Sequence, residues 1–434
     1  MKVTAHLGAI SWSMADKLLY VGFGFVQFLQ IAALPKEVYG VFTLLVALNS
    51  WIMMVSDGSA LAGVIQFGVN ADERPRVNLL ALMIHVVVVL GSSGLMFLLR
   101  EPLTDLFRVE EFVLVAQWLP LYCLLTLPRM FCLKILYRDM RMRDLFFVDA
   151  VWFGVRTALT IWAISQGRLT TFEEILVVDF AGMGASSLIA VLMTRKDLIF
   201  SRRGTMTTRT YLGYGLPLAA ATALNTAPKL LDVYVIAAFF DVGVVGVYNP
   251  AKNLYRIFEQ GFDAVTTLMY PAAVRMYAQR RIEDLQTLVT KAVSYTLLPI
   301  IVIVAILELG ASNLIITFLT PEYATAVDHF NVLITSALIM PLGLLGSIIL
   351  AAGQSASILR YSAVGVTVSF AVLVAVGYSG QAQLVGLGLV ANIVVVSILY
   401  QLHVHRILDL PLSAYLRVLP DVKNLVARRL GRSR

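Results

Sequence analysis

Residues 77–99 read VNLLALMIHVVVVLGSSGLMFLL, without one Asp, Glu, Lys or Arg. At about 1.5 Å of rise per residue, a helix of this stretch crosses a hydrocarbon core of about 30 Å. Its apolar side chains occupy every face, as a helix whose outer side meets lipid requires. The same reading recurs along the chain. In the first half the apolar segments are Ala9–Leu34, Val38–Ser56, Val77–Leu99, Phe112–Lys134, Phe146–Ser165 and Phe172–Thr194. In the second half they are Tyr211–Phe240, Gly243–Met269, Ala292–Leu309, Val327–Ala351, Ile358–Gly377 and Gln383–His405. The expectation is an all-α integral membrane protein with about twelve transmembrane helices.

Composition excludes a soluble globule. Of 434 residues, 59% are hydrophobic and only 14% charged, with mean hydropathy +0.81, whereas soluble domains are about a quarter charged. The net charge of +7 does not indicate a nucleic-acid partner, because the cations sit in short loops and in the tail. Taking the N-terminus and every second loop as one side collects twenty-three Lys and Arg, against Lys36, Arg100, Arg108 and Arg168 opposite. That asymmetry predicts both termini in the cytoplasm. The first apolar segment contains Asp16 and Lys17 and has no small-residue cleavage pattern, so it reads as a membrane helix and not a signal peptide. The opposite loops are too short and too poor in carboxylates to build a glycosyltransferase or polymerase site, so no enzyme is expected. Cys123 and Cys132 read as inert packing. The five histidines lack ligand spacing, and no metal site is expected. Met276–Thr290, with Arg280, Arg281, Glu283 and Asp284, reads as an amphipathic stretch along the membrane surface. The basic tail reads as a contact for anionic lipid, at about 1 kcal/mol per cation.

An internal repeat organises the segments. IAALPKEVYGVF from Ile31 aligns with IAAFFDVGVVGVY from Ile236, with one extra residue in the second copy, and at that spacing Asp57 falls on Asp263. LPRMFCLKILYRDM around Pro128 aligns loosely with MPLGLLGSIILAAGQ around Pro341. Six helices per copy makes the copies parallel, about an axis along the membrane normal. The predicted organisation is an N-terminal lobe over 1–200, a C-terminal lobe over 201–410 and a tail over 411–434, with a central cavity suited to alternating access.

Several of these segments together resemble a known family. They are LPKEVYGVFTLLVAL, YGLPLAAATALNTAPKLLDVYVIAAFFDVGVVGVYNPAKNLYRI, YPAAVRMYAQ and FLTPEYATAVDHFNVL. The chain resembles the polysaccharide-biosynthesis flippases, the O-antigen and exopolysaccharide repeat-unit translocases of the multidrug/oligosaccharidyl-lipid/polysaccharide superfamily. A Gly-x-Pro opening the seventh helix is matched by Gly215 and Pro217, and an aspartate midway along it by Asp232. A Val-Gly-x-Tyr opening the eighth is matched by Val245, Gly246 and Tyr248, and a proline closing it by Pro271. The resemblance implies two six-helix lobes and a polyprenyl-pyrophosphate-linked oligosaccharide as substrate. It also implies flipping from the cytoplasmic to the outer face of a bacterial inner membrane, with a polysaccharide polymerase and chain-length regulator as partners. The alternative within the superfamily is a cation-coupled multidrug antiporter.

Ionisable groups inside a bilayer are costly, at roughly 2.5–3.5 kcal/mol each on insertion scales, and so mark functional positions. Counted from the helix ends, Asp16, Lys17, Asp57, Arg129 and Lys134 lie where a side chain can snorkel. Arg156, Lys229, Asp232, Arg256 and Glu259 lie near the middle. Lys252, Arg256, Glu259 and Asp263 recur at helical spacing on one face. Asn225, Lys229 and Asp232 share another, with Pro228 free to loosen the helix there. Arg256, Lys229, Lys252 and Arg156 are thus the expected substrate-binding residues, since guanidinium and ammonium groups suit a pyrophosphate. Asp232, Glu259 and Asp263 are the expected ion-coupling residues, for protons or sodium ions, with no other cofactor. Seven in-membrane cations balance seven acids once Asp149 and Asp179 are counted, so local neutralisation competes with this reading.

Overall fold

The computed structural model describes residues 7–68, 70–311 and 321–418. The basic tail beyond residue 418, residues 312–320 and the side chain of Asp263 lie outside the described residues. Among the described residues there is no β-strand. The first part of the chain forms α1 (Leu7–Ala33), α2 (Lys36–Ser56), α3 (Ala62–Phe67), α4 (Arg74–Leu98) and α5 (Arg100–Phe107). It continues through α6 (Phe112–Arg138), α7 (Met142–Ser165) and α8 (Phe172–Thr194). Then follow α9 (Thr208–Leu230), α10 (Asp232–Phe239), α11 (Val242–Ala278) and α12 (Ile282–Ile306). The last are α13 (Ala326–Thr335), α14 (Leu345–Ala351), α15 (Ser355–Ser379) and α16 (Leu387–Leu408).

Among the described residues, eight helices are long and apolar enough to cross a membrane, or nine if one bent pair counts as a span. Every predicted segment falls on a helix or a pair of helices, but several are interrupted. α2 runs past its predicted end at Ser56 through a π-bulge, Asp57–Leu61, into α3. The seventh segment breaks at Leu231, just after Pro228, whose ring removes a backbone donor from the helix. Asp232 then opens α10, its carboxylate accepting from the Val233 N–H at 2.9 Å. The tenth segment bends by 50° through short 3-10 turns around Pro341. The stretch Met276–Thr290 is not one surface helix. It holds the end of α11, a turn with Arg280 in the left-handed region (φ 55) and the start of α12. Its apolar side chains Leu285 and Val289 are fully buried, which removes them from any membrane surface.

The chain divides into two compact units at Val247 and Tyr248, so α9 and α10 group with the first unit. In the second, a short turn after α16 (Leu412–Val418) folds back onto α12. There the Ser294 hydroxyl donates to the Tyr415 carbonyl, and the Tyr415 hydroxyl to Gln401, both at 2.7 Å.

In the first unit α2 is the central helix. A Cβ added at Gly40 would overlap the Val242 carbonyl oxygen, and one added at Gly246 would overlap the Lys36 carbonyl oxygen. The two glycines are repeat equivalents, and each meets the residue four before the other, so the contact is reciprocal. α2 also receives two tyrosine hydroxyls through its carbonyls and its bulge. Tyr234 donates to Leu44 at 2.7 Å and Tyr211 to Ala60 at 2.5 Å. Gly40→Ala should therefore force two backbones apart, with a loss of about 1–3 kcal/mol. A fall in melting temperature of the detergent-solubilised protein, with a similar fall for Gly246→Ala, checks it.

Candidate membrane-embedded ionic site

Three helices of the first unit each carry an acid followed at one-face spacing by aromatic, glycine or further polar residues. α1 has Asp16, Tyr20 and Phe23; α7 has Asp149, Trp152 and Arg156; α8 has Asp179, Gly182 and Ser186. The fold turns these faces toward one another. Arg129 of α6 pairs with Asp149 and donates to the Ser186 hydroxyl at 3.0 Å. That hydroxyl in turn donates to the Val148 carbonyl at 2.8 Å. Arg156 pairs with Asp179 at 2.7 Å. The Trp152 ring meets both guanidinium groups, 4.5 Å from that of Arg129 and 5.4 Å from that of Arg156. The Phe23 ring also meets Arg156, at 4.5 Å. A Cβ at position 182 would overlap the Arg156 stem, so this glycine makes the room the arginine occupies.

Asp16 completes the set. It is 4% exposed and stands beside the Asp149 carboxyl, and its Oδ1 has no hydrogen-bond partner among the described residues. With Lys17, the chain neighbour of Asp16 that acts on its carboxyl, the set is Arg129, Arg156 and Lys17 against Asp16, Asp149 and Asp179, three cations and three carboxyl groups. Further along α6, Lys134 pairs with Asp57 at the head of the π-bulge, at 2.8 and 3.0 Å to its two oxygens. This pair is partly open, with side-chain exposures of 20% and 31%, against 5% and 3% for Arg129 and Asp149.

The structure places the predicted substrate residues in different surroundings. Arg156 is buried against Asp179, and Lys252 is buried with its ammonium 5.3 Å from the Tyr248 ring. Lys229 is half-buried near the end of α9. Arg256 is exposed on α11 and donates to Asn253 at 3.2 Å. Of the predicted coupling residues, Asp232 is buried at the start of α10, Glu259 is half-buried on α11, and the Asp263 side chain lies outside the described residues. Lys229 and Asp232 belong to the first unit, while Lys252, Arg256 and Glu259 belong to the second.

Comparison with known proteins sets this architecture in a family. The family model described as "Polysaccharide biosynthesis protein" matches residues 34–328. The chain belongs to this family. No curated protein matches it in sequence. Among solved structures it is similar to an inward-facing multidrug resistance MATE family transporter of the MOP superfamily. That TM-score is 0.74 at 14% identity, covering 89% of this chain and 94% of the other. It is also similar to the lipid II flippase MurJ in an inward closed conformation, with a TM-score of 0.68 at 13% identity, covering 94% and 90%. An outward-facing multidrug resistance MATE family transporter aligns with a TM-score of 0.58 at 16% identity, covering 92% and 94%. The fold of this family member is therefore that of MOP-superfamily transporters.

Depth along a single helix does not single out Asp16 and Arg129, because both lie within reach of a helix end. The signal that finds them is the shared spacing of polar residues on α7 and α8. A loop clasp at the start of α4 also has no sequence motif. The Glu73 carboxylate accepts from the Thr205 N–H and hydroxyl, both at 2.8 Å, and from the Met206 N–H at 3.2 Å. It thereby pins the segment between α8 and α9 to the start of α4.

Arg129→Leu alone should cost about 3–5 kcal/mol by stranding Asp149, whereas Arg129→Leu with Asp149→Leu should recover most of that loss. Melting of the two variants in detergent measures the difference. The Thr205 and Met206 hydrogen bonds hold the Glu73 carboxyl below its ordinary value of 4.5. The clasp's contribution is therefore complete above about pH 4.5 and fades as pH falls through the lower folded value. Glu73→Gln should speed trypsin cleavage at Arg202 and Arg203 at neutral pH, read by gel.

Proposed function

We propose that this protein flips a polyprenyl-pyrophosphate-linked oligosaccharide from the cytoplasmic to the outer face of a bacterial inner membrane, by alternating access, for surface polysaccharide biosynthesis. Both termini are then cytoplasmic, and a polymerase and chain-length regulator act on the product. The observation that carries this reading is Arg256. An exposed guanidinium midway along a predicted membrane segment needs an aqueous path or an anion, and a pyrophosphate supplies paired acceptors for its fork. Lys229, the second cation expected from the sequence, is half-buried. Buried Lys252 and Arg156 serve that substrate only if the chain rearranges around them.

The driving ion is a proton or a sodium ion taken up on a buried carboxyl. Asp232, Glu259 and Asp263 are candidates from the sequence. Asp16 is a further one, buried beside the Asp149 carboxyl. The second reading is an antiporter of organic cations, with the adjacent Asp16 and Asp149 carboxyls as its cation contacts.

Transport of a lipid-linked oligosaccharide into the outer leaflet of proteoliposomes tests the proposal. Arg256→Ala with Lys229→Ala should lower the rate about ten-fold or more, at unchanged abundance, for the loss of charge-assisted contacts. Asp16→Asn should flatten the pH dependence of the rate. Full transport by the double variant removes the pyrophosphate reading, and export of an organic cation by the unaltered protein establishes the antiporter.

A further inference from the structure

We propose that Asp57 and Lys134 form an exchangeable ion pair. In it a phosphate group of the substrate takes Lys134 away from Asp57, making Lys134 a specificity-determining contact of the first unit. The inference rests on the flippase reading above and deepens it.

Exposure separates this pair from its neighbours. Arg129–Asp149 and Arg156–Asp179 are buried pairs enclosed by Trp152, Phe23 and Ser186, out of reach of an incoming group. Asp57–Lys134 is partly open, with the exposed ring of Tyr137 nearly one turn further along α6 as a second donor. A buried pair left in place costs nothing further, but an open pair in a membrane protein can trade partners with an anion. The substrate's pyrophosphate offers Lys134 two negative charges, one on each phosphate, against one on the carboxylate.

The backbone under the pair is also unusual. Asp57 heads the π-bulge, and π-bulges inside α-helices cluster at functional sites. Here the bulge cannot relax. A Cβ at Gly58 would meet the Ala219 backbone, one at Gly63 would overlap the Tyr211 ring, and one at Gly215 would overlap the Ser59 carbonyl. Tyr211 fixes the Ala60 carbonyl from the same side. Asp57 is thus held in place while Lys134, on a long flexible stem, is the partner free to move. In the orientation proposed above the pair lies near the cytoplasmic ends of α2 and α6, where a cytoplasmic lipid-linked sugar would arrive.

A structural salt bridge and an exchangeable one differ in the sign of their mutational effects. Binding of undecaprenyl pyrophosphate and of inorganic pyrophosphate to the full-length protein in detergent is measured for the unaltered chain, Lys134→Gln, Lys134→Arg and Asp57→Asn. Lys134→Gln should weaken undecaprenyl pyrophosphate binding on the order of ten-fold, as loss of a charge-assisted hydrogen bond predicts. Lys134→Arg should retain most of it. Asp57→Asn should tighten binding about three-fold by removing the competing carboxylate. Melting temperatures of all variants control for folding. If the unaltered protein binds the lipid but the Lys134→Gln and Asp57→Asn variants move affinity in the same direction, or not at all, the exchange is wrong and the flippase reading stands. The opposite-sign split seen only with inorganic pyrophosphate keeps the anion contact and discards the lipid substrate. No binding of either probe to the unaltered protein overturns both.

Discussion

Gly40 of α2 and Gly246 of α11 bring two helix backbones together at a distance no side chain would allow. Each glycine faces the carbonyl four residues before the other, so repeat-related halves of the sequence meet through the same atoms. In a membrane, where apolar side chains gain little from leaving lipid for protein, such close approach is a main source of helix association. This crossing fixes α2 at the centre of the first unit. With α2 fixed, Tyr234 and Tyr211 reach Leu44 and Ala60 along its length. The π-bulge at Asp57 is then clamped against α9. The position of Asp57 near the end of a helix is thus set by a contact several turns earlier, at Gly40.

Electrostatics sets the second constraint. The interior of the first unit holds guanidinium groups that would be prohibitively costly alone, and Arg129 and Arg156 each have a carboxylate and an aromatic face beside them. Trp152 serves both arginines at once, so the two pairs form one block linking α6, α7 and α8. Asp16, with Lys17 next to it in the chain, brings α1 onto that block beside the Asp149 carboxyl.

The helices and their repeat are legible in the sequence because both rest on patterns that survive in one dimension: long uncharged runs, and a glycine in the same register of two copies. Pro228 is legible too, as a weak point two residues before α9 ends. The bend around Pro341 and the bulge at Asp57 are not, because both are decided by what packs against the helix. Charges are harder still. Depth along a helix sorts residues by how far they must reach to water, and by that measure Arg129 resembles a snorkelling side chain. In the fold it is buried and turned toward Asp149. Arg156, expected to line a wet cleft, is enclosed by Asp179, Phe23 and Trp152. Which face of a helix meets lipid, protein or water is a property of its neighbours, and no count along one helix contains it.

Arg129–Asp149, Arg156–Asp179 and Lys134–Asp57 therefore divide by accessibility, and that division has mechanistic consequences. A transporter needs charges that stay in place, to keep its lobes rigid as they move, and charges that change partner, to register the arrival of cargo. Closed pairs suit the first role, because exchanging a partner there would desolvate an ion with nothing to receive it, a penalty of several kcal/mol per ion. An open pair on an immobilised backbone suits the second, because the displaced carboxylate meets water and the moving lysine keeps an anion beside it throughout. Asp16, buried beside Asp149, stands apart from both kinds: at 4% exposure it is closed to a sugar-linked lipid and open at most to a group as small as a proton or a sodium ion. On the flippase reading Lys134 and Asp16 serve cargo and driving ion separately, and α6, which carries both Arg129 and Lys134, is one element shared by the two.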